Sequence, residues 1–218
     1  MTFDAFRDFL LCSFPSVTQD QLDRFRRMEA LYRDWNAKIN VISRKDLDAL
    51  YDHHVLHSLA IAKYAASLGE GFRPDEAHTV LDLGTGGGFP GIPLAVLLPQ
   101  WRFTLCDSVG KKTLVAGAVA KALDLQNVEV VNARAESLGR TFDYVVSRAV
   151  ASLTDFYPWV KGRYRKGILY LKGGDVAEEV SAFMARYHIP QGAVHIWKIS
   201  SFPDDPWYEG KLVIHIEK

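Results

Sequence analysis

The residues best suited to chemistry sit in one short run, VLDLGTGGGFPG at 80–91. An apolar stretch leads straight into Gly84, Gly86, Gly87 and Gly88, and a helical pattern starts near Gly91. Backbone without a Cβ can take unusual φ values and approach a ligand closely. In an open α/β sheet this first strand-to-helix turn forms the ligand crevice. Gly86-x-Gly88-x-x-Gly91 satisfies the dinucleotide pattern, but no Gly-Lys-Ser/Thr follows, so the run is not a Walker loop. Two carboxylates favour S-adenosylmethionine. Asp82 lies two residues before Gly84, where it could meet a cationic amino acid group directly or through water and would repel a pyrophosphate. Asp107 ends the next apolar run, where an acid accepts ribose hydroxyls, a use shared with NAD sites.

Other candidates lie further along. Arg148 follows an apolar strand at a carboxyl edge, where open-sheet enzymes place ligand groups. Lys172 also ends a strand; it could contact RNA phosphate or cap the strand. Lys161, Arg163, Arg165 and Lys166 form the densest basic cluster, with Trp159 and Tyr164 among them, a mixture that can neutralise phosphate and stack on splayed bases. Arg24, Arg26, Arg27, Arg44, Lys45, Lys111 and Lys112 are further candidates for an RNA footprint. His53 and His57 share a helix face, but there is no HExxH and no third ligand, so no metal site is expected.

The elements that must position these residues fall into two parts. Residues 1–70 read as a helical extension: Phe3, Phe6, Phe9 and Leu10 recur at helical spacing after Thr2, and Pro15 ends that stretch. Thr18 caps a second helix whose apolar face carries Leu22, Phe25, Met28, Leu31, Tyr32 and Trp35. A third helix is expected over 52–68, closed by Gly69. The boundary falls in 69–78. From 71 to 218 the rhythm changes, with strands at 79–83, 102–106, 128–131, 142–147, 167–171, 194–199 and 212–216. Helices are expected at 91–98, 111–123, 152–160 and 176–187. Strands alternating with helices predict βαβ units and a mostly parallel sheet, and the last two strands predict an antiparallel hairpin. A dehydrogenase needs a second domain for its substrate, and none follows. The hairpin and the two aspartates together favour a methyltransferase core.

Composition sets looser limits. The chain has 218 residues, with 26 Lys plus Arg against 26 Asp plus Glu. The balance excludes a histone-like polycation but not a nucleic-acid enzyme with one basic face. The two cysteines, Cys12 and Cys106, form no CxxC and read as reduced thiols of a cytosolic protein. No apolar stretch approaches the ~20 residues needed to span a bilayer.

Five runs, DLGTGGGFPGIPLA (82–95), LCDSVGKK (105–112), ARAE (133–136), FDYVVSRAVASL (142–153) and LKGG (171–174), resemble the glucose-inhibited division protein B family of bacterial small-subunit ribosomal RNA guanine-N7 methyltransferases. The segment 35–59 is similar to the part of that family before the core. The resemblance implies a Rossmann-like class I S-adenosylmethionine-dependent methyltransferase with a seven-stranded sheet, S-adenosylmethionine as cofactor, and small-subunit ribosomal RNA or its assembly particle as partner. It implies a cytoplasmic monomer without membrane or metal. Gly84 and Phe89 would line the methionine and adenosine side, Asp107 would hold the ribose, and Ala135 and Glu136 would sit beside the adenine. Arg148 would reach the cofactor or the target base, and His54 matches the family motif; these two are the catalytic candidates. Where the family often carries an acid, this chain has His57. A methyltransferase for another substrate on the same core, an RNA-binding module without activity and an NAD-dependent reductase are the competing expectations.

Overall fold

The computed structural model describes residues 1–43, 45–69, 75–203 and 205–218. Residues 70–74, half of the expected boundary, and Arg44 lie outside the described residues. Helices α1 (Phe3–Ser13) and α2 (Gln19–Asn36) begin where the sequence places their caps. The Thr2 side chain accepts from the Ala5 N–H, and Thr18 forms a reciprocal capping box with Gln21. The third helix differs from expectation. It opens as a π-helix, Leu50–Leu56, and becomes α-helical only as α3, His57–Ser67. The wider π-turn swings consecutive side chains to new directions, and such turns are frequent at functional sites.

Seven strands follow: β1 (Thr79–Leu83), β2 (Arg102–Asp107), β3 (Val128–Asn132), β4 (Phe142–Arg148), β5 (Tyr164–Gly173), β6 (Val194–Lys198) and β7 (Lys211–Glu217). They form one sheet in the order β3-β2-β1-β4-β5-β7-β6. β1 to β5 run parallel, and β7 lies antiparallel between β5 and β6. Strand order reverses between β1 and β4, which is the switch point where such sheets bind ligands.

Alternation along the strands builds two cores. Val80, Phe103, Leu105, Tyr144, Val146, Leu169 and Leu171 pack with α1, α2, α3, α4 (Gly91–Leu97) and α5 (Gly110–Ala122). Leu81, Leu83, Val145, Ile168, Tyr170 and Ile214 face α6 (Leu153–Val160) and α7 (Ala177–Tyr187). The N-terminal helices therefore share the first core with the sheet. Polar groups fix them there. Gln21 Nε2 donates to the carbonyls of Val96 and Leu97 at the end of α4, and the Tyr32 hydroxyl donates to the Gly87 carbonyl at 2.9 Å.

The start of α4 is seated tightly against β1 and β2. A Cβ on Gly91 would lie 2.1 Å from Leu105 Cδ2 and 2.6 Å from Asp82 Oδ2. Gly91→Ala should therefore destabilise the fold by about 1–3 kcal/mol through overpacking; a denaturant midpoint unchanged from the parent would contradict this packing.

Candidate active site

A cavity of about 460 Å3 opens over the carboxyl ends of β1, β2 and β4. Leu83 and Gly84, Asp107 and Ser108, Ala133 to Glu136, Arg148 to Val150, Lys112 and Trp159 line it. Its floor is bare backbone. Gly84 has φ +71°, and a Cβ there would come within 2.5 Å of Val150 Cγ2. The loop is tied to the end of β2: the Gly84 and Thr85 N–H groups both donate to the Cys106 carbonyl. Asp107 accepts the Gly86 N–H on Oδ2 and the Val109 N–H on Oδ1, each at 2.9 Å. Each oxygen keeps a free lone pair, enough for a pair of vicinal hydroxyls. Ala135 is buried at the wall and Glu136 is exposed beside it. The acceptor pair on Asp107 and the uncovered floor fit a nucleoside carrying an amino acid tail, as S-adenosylmethionine does.

Three residues expected on this wall lie elsewhere. Asp82 is fully buried on the α4 side of β1. Its Oδ2 accepts from the Thr85 hydroxyl at 2.6 Å and from the Gly91 N–H at 2.8 Å, so it clamps the loop from beneath rather than meeting a ligand. Burial pushes its carboxyl up to about 7. Gly88 is likewise turned inward, against Ile92 and Tyr32. Phe89, 3 % exposed, is a platform: Tyr32 and His54 pack on it with ring centroids at 4.7 and 5.2 Å, and the Arg148 guanidinium lies 5.2 Å from its centroid.

The two catalytic candidates do meet, although 94 positions separate them. An Arg148 Nη2–H donates to His54 Nδ1 at 3.1 Å. A guanidinium can only donate, so Nδ1 is the acceptor and the neutral ring carries its proton on Nε2. Burial, reinforced by the Arg148 charge, lowers the His54 imidazole to about 3. Burial also lowers Arg148, to about 10, which leaves it charged at neutral pH. His57, which sequence spacing offered only as half of a histidine pair, is 8 % exposed and lies well below its ordinary range for the same reason.

The basic cluster is divided and displaced. Arg165 pairs with Asp143 and reaches Thr141 and Thr79 at the starting edge of the sheet, opposite the cavity. Arg163 donates to the Glu136 and Leu138 carbonyls, and exposed Lys166 lies near the Tyr144 ring. Lys161 is exposed. An RNA footprint on Arg165 and Lys166 would therefore lie remote from the cavity. Lys172 pairs with Glu179 and donates to the Ala151 carbonyl, which serves the strand-end role. Arg24 pairs with Asp20, and Arg26 lies over Phe3. Lys112 and Arg134 do border the cavity; spacing marked Lys112 only as a loose footprint residue and gave no signal for Arg134. No group of three His, Cys, Asp or Glu able to hold a metal occurs among the described residues, and no helix among them is long and apolar enough to cross a membrane.

The buried neutral His54 makes a pH prediction. Its folded value lies below the unfolded one near 6.5, so between pH 6.5 and about 3 the unfolded chain holds more protons. Stability present above pH 6.5 is lost as pH falls through that window, by up to about 1.4 kcal/mol per pH unit from this group. The stability gap between the parent and His54→Gln should therefore narrow from pH 7 to pH 5 in thermal melts. A gap independent of pH would show that His54 is not held neutral.

Comparison with known proteins agrees with this geometry. A relative named Ribosomal RNA small subunit methyltransferase G from Flavobacterium psychrophilum is 50% identical over 216 residues, covering 95% of this chain and 96% of the relative. The protein of the same name from Porphyromonas gingivalis is 50% identical over 179 residues, 78% of each chain. Among solved structures, magnesium protoporphyrin IX methyltransferase from Synechocystis PCC 6803 with bound SAM superposes with TM-score 0.57 at 12% identity, covering 93% of this chain and 99% of that one. A SAM dependent methyltransferase from Aquifex aeolicus gives 0.56 at 17% identity, covering 81% and 98%. At such identities these two show the fold alone, that of class I S-adenosylmethionine-dependent methyltransferases. A family model described as rRNA small subunit methyltransferase G matches residues 21–202, and with a half-identical relative along nearly the whole length, the chain belongs to that family, GidB.

Proposed function

We propose that this chain transfers a methyl group from S-adenosylmethionine to N7 of a guanine in small-subunit ribosomal RNA. The observation that carries the reading is the cavity at the switch point, whose floor is Gly84 and whose wall is Asp107 with lone pairs to spare. Asp107 would hold the ribose hydroxyls, and Ala135 and Glu136 would flank the adenine. The cofactor supplies an electrophilic methyl group. Guanine N7 carries an in-plane lone pair and loses no proton on attack, so the protein's work is alignment and exclusion of water. The site matches that demand. His54 Nδ1 is already occupied by Arg148, and its neutral ring is a poor proton acceptor. Arg148 and His54 would orient the acceptor base rather than activate it. The substrate is the RNA or its assembly particle, met in the cytoplasm by a monomer. Ribosomal RNA would approach the carboxyl edge, where Lys112, Arg134 and Arg148 gather.

Titration calorimetry should show binding of S-adenosylmethionine that weakens at least tenfold in Asp107→Ala, since hydrogen bonds to a charged acceptor are worth about 1.5–3 kcal/mol each. Deleting the gene should remove one N7-methylguanosine from small-subunit RNA. Unchanged modification would refute the RNA assignment, and absent cofactor binding would refute the enzyme.

A further inference from the structure

A second recess, of about 310 Å3, opens on the other side of the Arg148–Ala149 wall. The π-turn, α3, the end of β5 and the segment before β7 build it, and it holds His53, His54, His57, Trp207 and Lys211. The acid in its lining, Asp46, is already committed. Asp46 takes a hydrogen bond from the Ser43 hydroxyl at 2.6 Å and pairs with His53 Nδ1 at 3.0 Å. Glu179 takes up the charge of Lys172, which also borders the recess. Trp207 stacks on His53 with centroids 4.0 Å apart and planes 7° apart, and Lys211 Nζ lies 3.5 Å from its centroid. Lys211 spends one N–H on the Trp207 carbonyl and keeps two.

Two polar atoms at this recess lack partners among the described residues, His54 Nε2 and His57 Nε2, and both side chains are more than nine-tenths buried. The bond from Arg148 fixes His54 Nε2 as a donor. A buried donor left unsatisfied is costly, so its persistence points to a ligand. Among the groups left at the recess, Arg148, Lys211 and the His54 N–H are donors, with the unpartnered His57 Nε2 beside them. Such a wall suits a group that offers acceptors alone. Guanine's N7–O6 edge does so, whereas adenine sets an amino donor where guanine has O6.

Resting on the function proposed above, we infer that this recess receives the O6 corner of the acceptor guanine. Lys211 and the His54 Nε2–H read O6, and N7 faces the cofactor cavity past Arg148 and Ala149. The recess is thereby the element that selects guanine over adenine-like bases.

The test uses the full-length protein and small-subunit RNA in which the mapped guanosine is replaced by 2,6-diaminopurine riboside. That change exchanges O6 for an amino group and leaves N7 and the 2-amino group in place. For the parent protein, kcat/KM should fall roughly tenfold to a hundredfold on the analogue. In Lys211→Met and in His54→Leu the ratio between the two substrates should shrink at least fivefold, and Lys211→Met should bind S-adenosylmethionine with a Kd within twofold of the parent. Lys211→Arg, which keeps a donor, should retain the ratio. Equal rates on the two substrates in the parent protein overturn the inference even if neither variant folds. So does an undiminished ratio in both variants. A parent protein that binds no S-adenosylmethionine, or binds it and methylates no guanosine, defeats the proposed function itself and this assignment with it.

Discussion

The Arg148 guanidinium is the charge around which the site is arranged. A cation withdrawn from water is costly unless its donors and its field are answered. Here three groups answer it. His54 Nδ1 accepts from it at 3.1 Å, the Phe89 ring lies beneath it, and the buried Asp82 carboxyl supports it through space. Each comes from a different element: the π-turn, the glycine loop and β1. The arrangement therefore ties the N-terminal helices to the sheet at the edge where chemistry would occur. It also requires His54 to stay neutral, because a protonated ring would offer Arg148 a donor and a like charge. The low imidazole value and the half-buried cation are two sides of one interaction.

The glycine loop rests on an equally economical device. Asp82 lies under the loop and holds Thr85 and Gly91 from below, while Asp107 holds Gly86 from the ligand side. The Tyr32 hydroxyl fixes Gly87 from α2. Three backbone positions within six residues are thus pinned from three directions. A loop so held needs little reorganisation to accept a ligand, which is where positioning catalysis gains its rate.

Most of the fold was legible in the sequence, because alternation and caps are local signals. Thr2, Thr18 and Pro15 mark helix ends through contacts a few residues away. The glycine run, Asp107 and the Arg148 position were legible because strand ends in an open sheet converge on one edge. What stayed hidden depends on distant partners. Spacing places Asp82 near the loop and so near a ligand, but does not reveal which side of the strand faces α4. The family resemblance implies a pocket role for Phe89, yet Tyr32 and His54 claim its faces. The cluster at Lys161–Lys166 looked like an active-edge feature, but β5 begins there, and a parallel strand begins at the edge opposite its ligands. The π-turn carries no composition signal, and Trp207 meets His53 only because β7 inserts beside β5.

The charge and hydrogen-bonding state of the groups beside the cavity bear on the reaction. Methylation of an amino or hydroxyl group releases a proton, and a site built for it would keep a free basic group near the acceptor. The groups lining the recess beside the cofactor cavity do the reverse. Arg148 and Lys211 are cations, and His54 has its lone pair engaged and its ring held neutral. A wall of donors attracts an acceptor with exposed lone pairs and repels one that must surrender a proton. Purine N7 is such an acceptor. The overall balance of 26 basic against 26 acidic groups fits this division of labour. Positive charge is concentrated where the acceptor base would sit, so selection falls to a few donors there rather than to a basic surface.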